Sequence, residues 1–383
     1  MVETTPVTHS RLHVIDGLRF FAALSVVLYH YTGARSHSWR EGSEGAFPWL
    51  QPVTIYGSLG VELFFVISGF VILMSAWGRT VPQFVASRIA RLYPAYWLGV
   101  IASSAVLFFT GLQLAGSQWS SIGIEGFLYN LTMLQTAFVV PHVDGVYWTL
   151  FIELKFYALL GLLLIVGITR TRILILCAIW PALGALALAS GNPHLLALLD
   201  PQYAPFFVMG MLVYLLRRDG FSPVPVVLLT ANWIYSMALS FRFADAIGGA
   251  GAGTAQPIVV MTVFTAFLVT LMIATLTPVA AIDWRWLTVA GALTYPLYLL
   301  HDVIGAWLIT LAPAAWPPIV TLVLVIAIMA VSAFVVHRWV ERPLGPPLRH
   351  GVERALAWRP STRPQAGSTT GKPIVKGRPD RSR

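Results

Sequence analysis

The sequence predicts an all-α polytopic membrane protein of about ten transmembrane helices, with both termini cytoplasmic. Of its 383 residues, 57% are hydrophobic and only 11% are charged, whereas about a quarter of the residues of an average soluble domain are charged. Apolar runs recur along nearly the whole chain, and each is long enough to cross a bilayer, which takes about 20 residues of helix. This composition excludes an ordinary soluble enzyme. The predicted spans cover residues 15–33, 53–77, 93–112, 147–168, 172–190, 202–217, 224–240, 256–276, 287–310 and 316–339.

Basic residues in the connecting segments predict the orientation, because Lys and Arg are retained in the cytoplasm. An even number of spans places both termini on the same side. With the N-terminus inside, nine basic residues before Arg338 and eleven from Arg338 onward lie inside, against three outside, namely Arg35, Arg40 and Arg242. We therefore expect both termini in the cytoplasm, and we expect the protein in the inner membrane of a bacterium.

The composition divides the chain into an N-terminal tail (1–12), a membrane domain (13–345) and a basic tail (346–383). The basic tail is predicted to be disordered, because it is rich in Pro, Gly, Ser, Thr and Arg and poor in apolar residues. Its charge suits a surface of anionic membrane lipid. Since it lacks an interleaved aromatic platform, no nucleic acid is expected as a partner.

The longest loop, residues 111–146, contains neither Lys nor Arg. Its segment 122–140 is apolar but carries three polar side chains, and counting it as a crossing would reverse the side of the next basic loop. We therefore interpret it as an outer-surface or re-entrant stretch. The single cysteine, Cys177, excludes intramolecular disulfide bonds and thiolate metal clusters, and no metal site is predicted.

Ionisable side chains inside the spans are the candidate functional residues, because a charge within the bilayer costs about 2.5 kcal/mol or more. At 1.5 Å per residue, His30, Glu153 and His301 all lie about 21 Å from the inner surface. A neutral imidazole can take a proton from a hydroxyl, and a neighbouring carboxylate can orient it, which is chemistry for transfer to an alcohol. The alternative is that these residues only join helices through buried hydrogen bonds. The other ionisable residues of the spans are Arg19, Glu62, Lys155, Asp302 and His337.

A pair of arginines, Arg88 and Arg91, lies three residues apart at the inner mouth of the third span. Guanidinium pairs suit phosphates because they donate bidentate hydrogen bonds, although anchoring on the cytoplasmic side is the alternative role. Asp16 and Arg19 have the same spacing, so they could form a helix pair or help to bind the same anion. Pro296 is predicted to kink the ninth span just before His301 and to open a cavity there.

Six short motifs, in this order, resemble those of the acyltransferase 3 family of integral membrane O-acyltransferases, over roughly residues 12–345. Six motifs in sequence at plausible spacing are quite specific. Lys155 is explained neither by these motifs nor by its own position. The motifs are Ile15-Asp16-Gly17-Leu18-Arg19 followed by His30, Phe64-Phe65 with Ser68-Gly69, Arg88 with Arg91, Trp148-Thr149-Leu150 with Glu153 and Phe156-Tyr157, the tyrosine-rich run from Leu293 to His301, and Glu341-Arg342-Pro343.

The resemblance implies a fold of about ten helices and the transfer of an acyl group, usually acetyl, from a cytoplasmic acyl-CoA to a hydroxyl of an extracytoplasmic or membrane-facing acceptor. It also implies that His30 is the catalytic residue and that Arg19, Arg88 and Arg91 serve the donor. Members of the family modify cell-surface glycans and, in some cases, macrolide antibiotics. Some members carry a further SGNH hydrolase-like domain after the membrane part, which is not expected here.

We therefore predict an O-acyltransferase with acyl-CoA, chiefly acetyl-CoA, as co-substrate and a carbohydrate or a glycosylated small molecule such as a macrolide as acceptor. His30 would be the general base or a transient acyl carrier. Glu153 and His301 would be its catalytic partners. The residues predicted to support the site are Asp16, Ser68, Trp148, Tyr295, Tyr298 and Asp302.

Two alternatives belong to other classes of protein. A transporter or flippase for a lipid-linked sugar would use the same buried charges as a substrate or proton path. Transporters usually show repeated halves, and this sequence shows no such repeat. A non-catalytic membrane scaffold is the second alternative, and it leaves the shared depth of His30, Glu153 and His301 unexplained.

Overall fold

The computed structural model describes residues 12–34, 38–114, 117–250 and 255–357. Across these ranges the chain folds into α-helices joined by short turns, and no β-strand is present. The helices are α1 (His13–Leu28), α2 (Gly42–Ala46), α3 (Gln51–Thr54), α4 (Gly60–Ala76), α5 (Val81–Thr110), α6 (Trp119–Leu131), α7 (Trp148–Val166), α8 (Arg170–Ser190), α9 (Pro193–Leu199), α10 (Ala204–Asp219), α11 (Pro223–Ala250), α12 (Pro257–Leu276), α13 (Arg285–Leu300), α14 (Val303–Thr310), α15 (Pro318–Val336) and α16 (Arg342–Ala357).

The prediction of an all-α polytopic membrane protein is confirmed. Nine segments of the described chain are helical, long and apolar enough to cross a membrane, and the pair formed by α13 and α14 makes a tenth, broken span. All ten predicted spans overlap these segments. Segment 122–140 contains α6, which has 13 residues and is too short for a crossing that needs about 20 residues.

Helices α4 and α10 form the tightest contact of the bundle, because two glycines let their backbones touch. A Cβ atom on Gly69 would lie 2.0 Å from the carbonyl oxygen of Phe207, and one on Gly210 would lie 2.0 Å from that of Val66. Small residues at helix crossings are typical of membrane bundles, since close approach strengthens van der Waals packing. Helix α10 is buried from Ala204 through Leu216 and forms part of the core.

Helices α1 and α13 form a second close pair, which differs from the first because glycines here face side chains. A Cβ atom on Gly17 would lie 2.6 Å from Cδ2 of Leu287, and one on Gly291 would lie 2.4 Å from Cβ of Asp16. Near the start of both helices, His13 Nδ1 lies 2.7 Å from the hydroxyl of Thr288. The two helices therefore begin at the same end of the bundle.

The ninth span breaks at residues 301–302, where α13 and α14 meet at 71°. The bend was predicted at Pro296, but α13 continues through Pro296 to Leu300 and the span breaks after that residue. Groups from other elements stabilise the break. The Tyr31 hydroxyl donates to the His301 carbonyl (2.8 Å), and the Val303 N–H donates to Asp144 (3.3 Å). Irregular backbone at membrane depth persists where such partners satisfy it.

The last span runs on without a large bend through a π-helical turn (His337–Glu341) into α16, which ends at Ala357. The prediction that residues 346–383 are disordered is therefore wrong for residues 346–357. Helix α16 packs against α5, and this contact explains why a polar segment forms a helix. The rest of the predicted basic tail, 358–383, the N-terminal residues 1–11 and Arg35 lie outside the described residues.

The structure explains Lys155, which the sequence left without a role. Its Nζ lies 2.5 Å from an Asp200 carboxylate oxygen, donates to the Ala197 carbonyl (2.8 Å) and lies 5.0 Å from the ring centre of Phe151. Cations are favourable at the carboxyl end of a helix. Lys155 therefore links α7 to the end of α9 and to the turn between α9 and α10.

Candidate active site

Three neighbouring cavities follow one another through the bundle. The entrance cavity lies where α1, α5 and α13 begin, and it shares Arg19, Arg91 and Tyr295 with the next cavity. That second cavity, here called the arginine cavity, shares Val61 and Tyr298 with a third. The third is here called the histidine cavity, because His30 lines it.

The arginine cavity presents two cations. Arg19 comes from α1 and Arg91 from α5, and both line the cavity. Neither guanidinium makes a hydrogen bond or an ion pair with a described residue. Guanidinium N–H groups normally find acceptors, so the cavity can offer donors to an anionic ligand.

A carboxylate and a hydroxyl meet on the opposite wall of the arginine cavity. The Ser68 hydroxyl of α4 donates to Glu153 Oε1 of α7 at 2.8 Å. Ser68 and Glu153 both line the cavity, as does Tyr295, whose hydroxyl donates to the Leu92 carbonyl at 3.1 Å. Glu153 therefore faces the arginines and Ser68, and it does not lie beside His30.

Arg88 points away from this cavity, although Arg91 follows it by one helical turn. Its Nη2 donates to the Ser75 hydroxyl at 2.9 Å, and its guanidinium carbon lies 5.6 Å from the ring centres of Phe84 and Tyr157. These contacts tie α5 to α4 and α7. Of the three arginines predicted to bind the donor, Arg19 and Arg91 line the cavity and Arg88 does not.

The entrance cavity adds a second group of charged side chains. It is lined by Asp16, His337, Glu341 and Arg342 as well as the two shared arginines. His337 Nδ1 and Glu341 Oε2 lie 2.7 Å apart within the same π-helical turn. Asp16 thus lines the entrance cavity and lies apart from His30 and His301.

His30 lies in the π-helical turn Tyr29–Gly33 that ends the first span. Its Nδ1 lies 3.4 Å from Asp302 Oδ1, at the break between α13 and α14. The ring of His301 stands edge-on to His30, with ring centres 5.2 Å apart. The structure therefore brings together His30, His301 and Asp302.

The hydrogen bonds of His301 fix its tautomer. Its Nδ1 lies 2.8 Å from the carbonyl oxygen of Tyr298. Because a carbonyl can only accept, Nδ1 carries the proton and Nε2 carries the lone pair. The side chain is fully buried, and Nε2 has no hydrogen-bond partner among the described residues.

Asp144 is a buried residue of this cluster that sequence reasoning missed. It accepts from the Val146 N–H (3.2 Å) and the Ser103 hydroxyl (3.4 Å), and it also caps the break at Val303. A Cβ atom on the following residue, Gly145, would lie 3.2 Å from Asp302 Oδ2. The only available signal was an acidic residue directly before an apolar span, at the end of the loop without Lys or Arg.

The histidine cavity has aromatic walls and one further acidic residue. Tyr29 and His30 line it from the π-helical turn Tyr29–Gly33, Glu62 lines it from α4, and Trp148 lines it from α7. Tyr298 separates this cavity from the arginine cavity and its hydroxyl lies 2.8 Å from that of Thr149. Sequence reasoning noted Glu62 as ionisable but gave it no role.

The fold and this site define a membrane-embedded helical bundle in which an imidazole–carboxylate pair is connected by cavities to a pair of arginines. The chain belongs to the acyltransferase 3 family: residues 12–338 match the family model described as an acyltransferase domain. No solved structure is significantly similar to the chain.

Three related proteins show how far the similarity extends. A Komagataeibacter xylinus protein named as a membrane-bound transacylase is 29% identical over 76% of this chain and 72% of its own length. A Bacillus subtilis protein named as a peptidoglycan O-acetyltransferase is 31% identical over 42% of this chain and 24% of its own. An acyltransferase of Streptomyces mycarofaciens is 29% identical over 38% of each chain. The chain thus spans less than half the length of the last two relatives.

Proposed function

We propose that this acyltransferase moves an acetyl group from acetyl-CoA to a hydroxyl of a glycan or of a glycosylated small molecule such as a macrolide. One observation carries the proposal: His30 Nδ1 lies 3.4 Å from Asp302 Oδ1, and His30 lines a cavity that adjoins a second cavity lined by Arg19 and Arg91. A relative named as a peptidoglycan O-acetyltransferase supports a glycan as the acceptor.

His30 acts as the general base in this proposal. His30 Nδ1 lies 3.4 Å from Asp302 Oδ1; with the proton on Nδ1, Nε2 carries the lone pair and takes the proton of the acceptor hydroxyl, and the neighbouring carboxylate stabilises the imidazolium that forms. The acceptor oxygen bonds to the thioester carbonyl carbon, and the carbon–sulfur bond then breaks. The proton passes from His30 to the departing thiolate, so that free CoA and an ester are formed.

The arginine cavity holds the phosphates of the donor. Arg19 on α1 and His30 in the π-helical turn that follows are eleven residues apart in the same span, which corresponds to roughly 16 Å along its axis. Phosphates bound at Arg19 and Arg91 would let the thioester arm pass Tyr298 toward His30. The orientation predicted from the basic residues, with both termini inside, would put the entrance cavity on the cytoplasmic side, and this supports the entry of a cytoplasmic donor there.

The first test is the release of free CoA thiol from acetyl-CoA by the purified full-length protein in lipid nanodiscs, with and without sugar acceptors. We expect His30→Ala to lose about a hundredfold or more of the acceptor-dependent rate, the usual contribution of a general base. His194→Ala, which removes an exposed imidazole on α9, is the matched control and should retain the rate. If the wild type neither binds nor cleaves acetyl-CoA, the acetyl-CoA proposal fails and transport of a lipid-linked sugar becomes the leading function.

A second experiment separates the general base from a transient acyl carrier. The protein is mixed with radiolabelled acetyl-CoA without acceptor and quenched rapidly. No label on the protein supports the general base. Label that is present in the wild type and absent from His30→Ala would show that Nε2 carries the acetyl group.

A further inference from the structure

Glu62 is a buried acidic residue, and one oxygen of its side chain has no partner among the described residues. It is the third residue of α4 and is only 3% exposed, and its Oε2 makes no hydrogen bond with a described residue. Buried carboxylate oxygens are normally satisfied, because leaving one unpaired forfeits its solvation. Since Glu62 lines the histidine cavity, a hydroxyl or N–H of a ligand bound there can supply the missing donor.

Aromatic rings line the same cavity beside Glu62. Trp148 and Tyr203 lie with ring centres 5.4 Å apart, and Phe243 lies 6.2 Å from Tyr203. Aromatic faces carry partial negative charge and attract weakly positive C–H groups. A sugar ring offers C–H groups on its faces and hydroxyl donors at its edge, so it matches a wall of this composition.

The charges around the cavity select among sugars. Neither Lys nor Arg lines the cavity, so an anionic sugar would lose its solvation there without meeting a cation. A cationic amino sugar would oppose the imidazolium that His30 must become when it takes a proton. A neutral ring avoids both costs.

We infer that the histidine cavity contains a subsite for a neutral pyranose ring of the acceptor, in which Glu62 accepts a hydrogen bond from a ring hydroxyl and Trp148 and Tyr203 pack against the ring. The inference rests on the proposed acyl transfer and specifies its acceptor. Glu62 binds one hydroxyl and directs another toward Nε2 of His30. Glu62 is thus a binding residue, and the proton is taken by His30.

The test uses four tetrasaccharide probes with the full-length protein in nanodiscs. Cellotetraose and N-acetylated chitotetraose are neutral, the chitosan tetramer carries amines and tetragalacturonate carries carboxylates. Binding is measured without donor by thermophoresis, and acetyl transfer is measured with radiolabelled acetyl-CoA. We expect at least one neutral probe to bind and accept acetyl better than both charged probes. A preference for either charged probe, or binding of none of the four, would overturn the inference.

Variants of Glu62 link this preference to the subsite. Glu62→Ala should raise the acceptor KM about tenfold to a hundredfold, the range expected when a buried hydrogen-bond partner is lost, and this rise should exceed any loss of CoA release to water. Glu62→Gln keeps one acceptor oxygen, so it should fall between wild type and Glu62→Ala. Glu125→Gln, the same change on exposed α6, is the matched control. An unchanged acceptor KM in Glu62→Ala, or an equal loss of CoA release to water, contradicts the subsite.

The same measurements separate failure of the subsite from failure of the proposed function. CoA release that depends on His30 but is not stimulated by any probe leaves the acetyl-CoA reaction standing and overturns the subsite. Neutral-probe binding that weakens in Glu62→Ala without any use of acetyl-CoA supports the subsite and overturns the donor. Trp148→Phe, which keeps an aromatic face, should weaken neutral-probe binding less than Trp148→Ala, and equal effects would contradict the packing role.

Discussion

The arginine cavity and the histidine cavity are neighbours with opposite chemistry. The first is lined by Arg19 and Arg91 with one carboxylate, Glu153. The second is lined by an imidazole and the carboxylate of Glu62, with no Lys or Arg. One cavity therefore favours an anionic ligand and the other a neutral hydroxyl compound, and a thioester drawn from one to the other would meet its acceptor near Tyr298.

The first span lines both cavities, because Arg19 of α1 lines the arginine cavity and His30 of the following π-helical turn lines the histidine cavity. The carboxylates are divided: Asp302 lies beside His30 at 3.4 Å, whereas Glu153 accepts from Ser68. This difference predicts that substitutions in the histidine cavity change proton transfer, and that substitutions in the arginine cavity change donor binding.

The largest expected effect comes from exchanging the two carboxylates for amides. Asp302→Asn should lower kcat about a hundredfold or more, because the amide removes the charge that orients and stabilises the His30 imidazole. Glu153→Gln, the matched change in the arginine cavity, should lower kcat less than about tenfold. Steady-state kinetics in nanodiscs check both values. A larger kcat loss in Glu153→Gln than in Asp302→Asn would show that Glu153, and not Asp302, assists proton transfer.

The next effect separates the two arginines of α5. Arg91→Ala should raise the KM for acetyl-CoA about tenfold or more, because charge-assisted hydrogen bonds to phosphate are lost. Arg88→Ala should instead lower the melting temperature and leave the KM within about threefold, since Arg88 contacts Ser75 and two aromatic rings. Arg285→Ala, an exposed arginine at the start of α13, is the control. A donor KM that rises only in Arg88→Ala would place the phosphates elsewhere.

A smaller effect concerns stability outside both cavities. Lys155→Ala should destabilise the protein by about 1 to 3 kcal/mol, because the Asp200 carboxylate loses its charged partner. Thermal unfolding in detergent measures the shift, and Lys155→Met separates the charge from the side-chain stem. Acetyl transfer at low temperature should be unchanged. A loss of transfer with no loss of stability would instead assign Lys155 to the reaction.

The smallest effect concerns the loop that precedes the histidine cavity. Burial lowers the pKa of His142 below its ordinary value, and its Nδ1 accepts from Gln135 Nε2 at 3.1 Å. The folded loop thus favours the neutral imidazole. The contribution of neutral His142 to the stability of the folded loop is complete above the pKa of the unfolded chain, about 6.5, and is lost as the pH falls below that value.

Hydrogen exchange of residues 130–144 at pH 7.5 and 5.5 measures this loss. We expect protection to fall by about fivefold or less, which corresponds to one hydrogen bond. His142→Asn should show no such pH dependence. Equal dependence in wild type and His142→Asn would show that another group titrates in the loop.

The spans could be predicted from the sequence because hydrophobic length is a local property, and all ten predicted spans overlap helices of the structure. The site could be predicted only in part. Depth along a helix follows from residue counting, but the neighbour that a side chain meets depends on how helices rotate and tilt in the bundle. Glu153 was therefore assigned to His30, and Asp302, ranked only as a supporting residue, is the actual neighbour.

The same limit applies to Arg88 and Arg91. Three residues leave the two side chains about 60° apart around the helix axis, so the partners that each one meets depend on neighbouring helices, and Ser75 lies on α4. The break at His301 depends likewise on Tyr31 and Asp144, which belong to other elements. No local pattern around Pro296 indicates such partners.

The glycine contact between α4 and α10 limits where the bundle can deform. Gly69 and Gly210 meet backbone atoms, which cannot be displaced by a rotamer change, so we expect α4 and α10 to move as one rigid body. Gly17 and Gly291 meet the side chains of Leu287 and Asp16, which can change rotamer. Widening of the cavities for a bulky substrate should therefore begin along α1 and α13, and the α4–α10 wall should keep its shape.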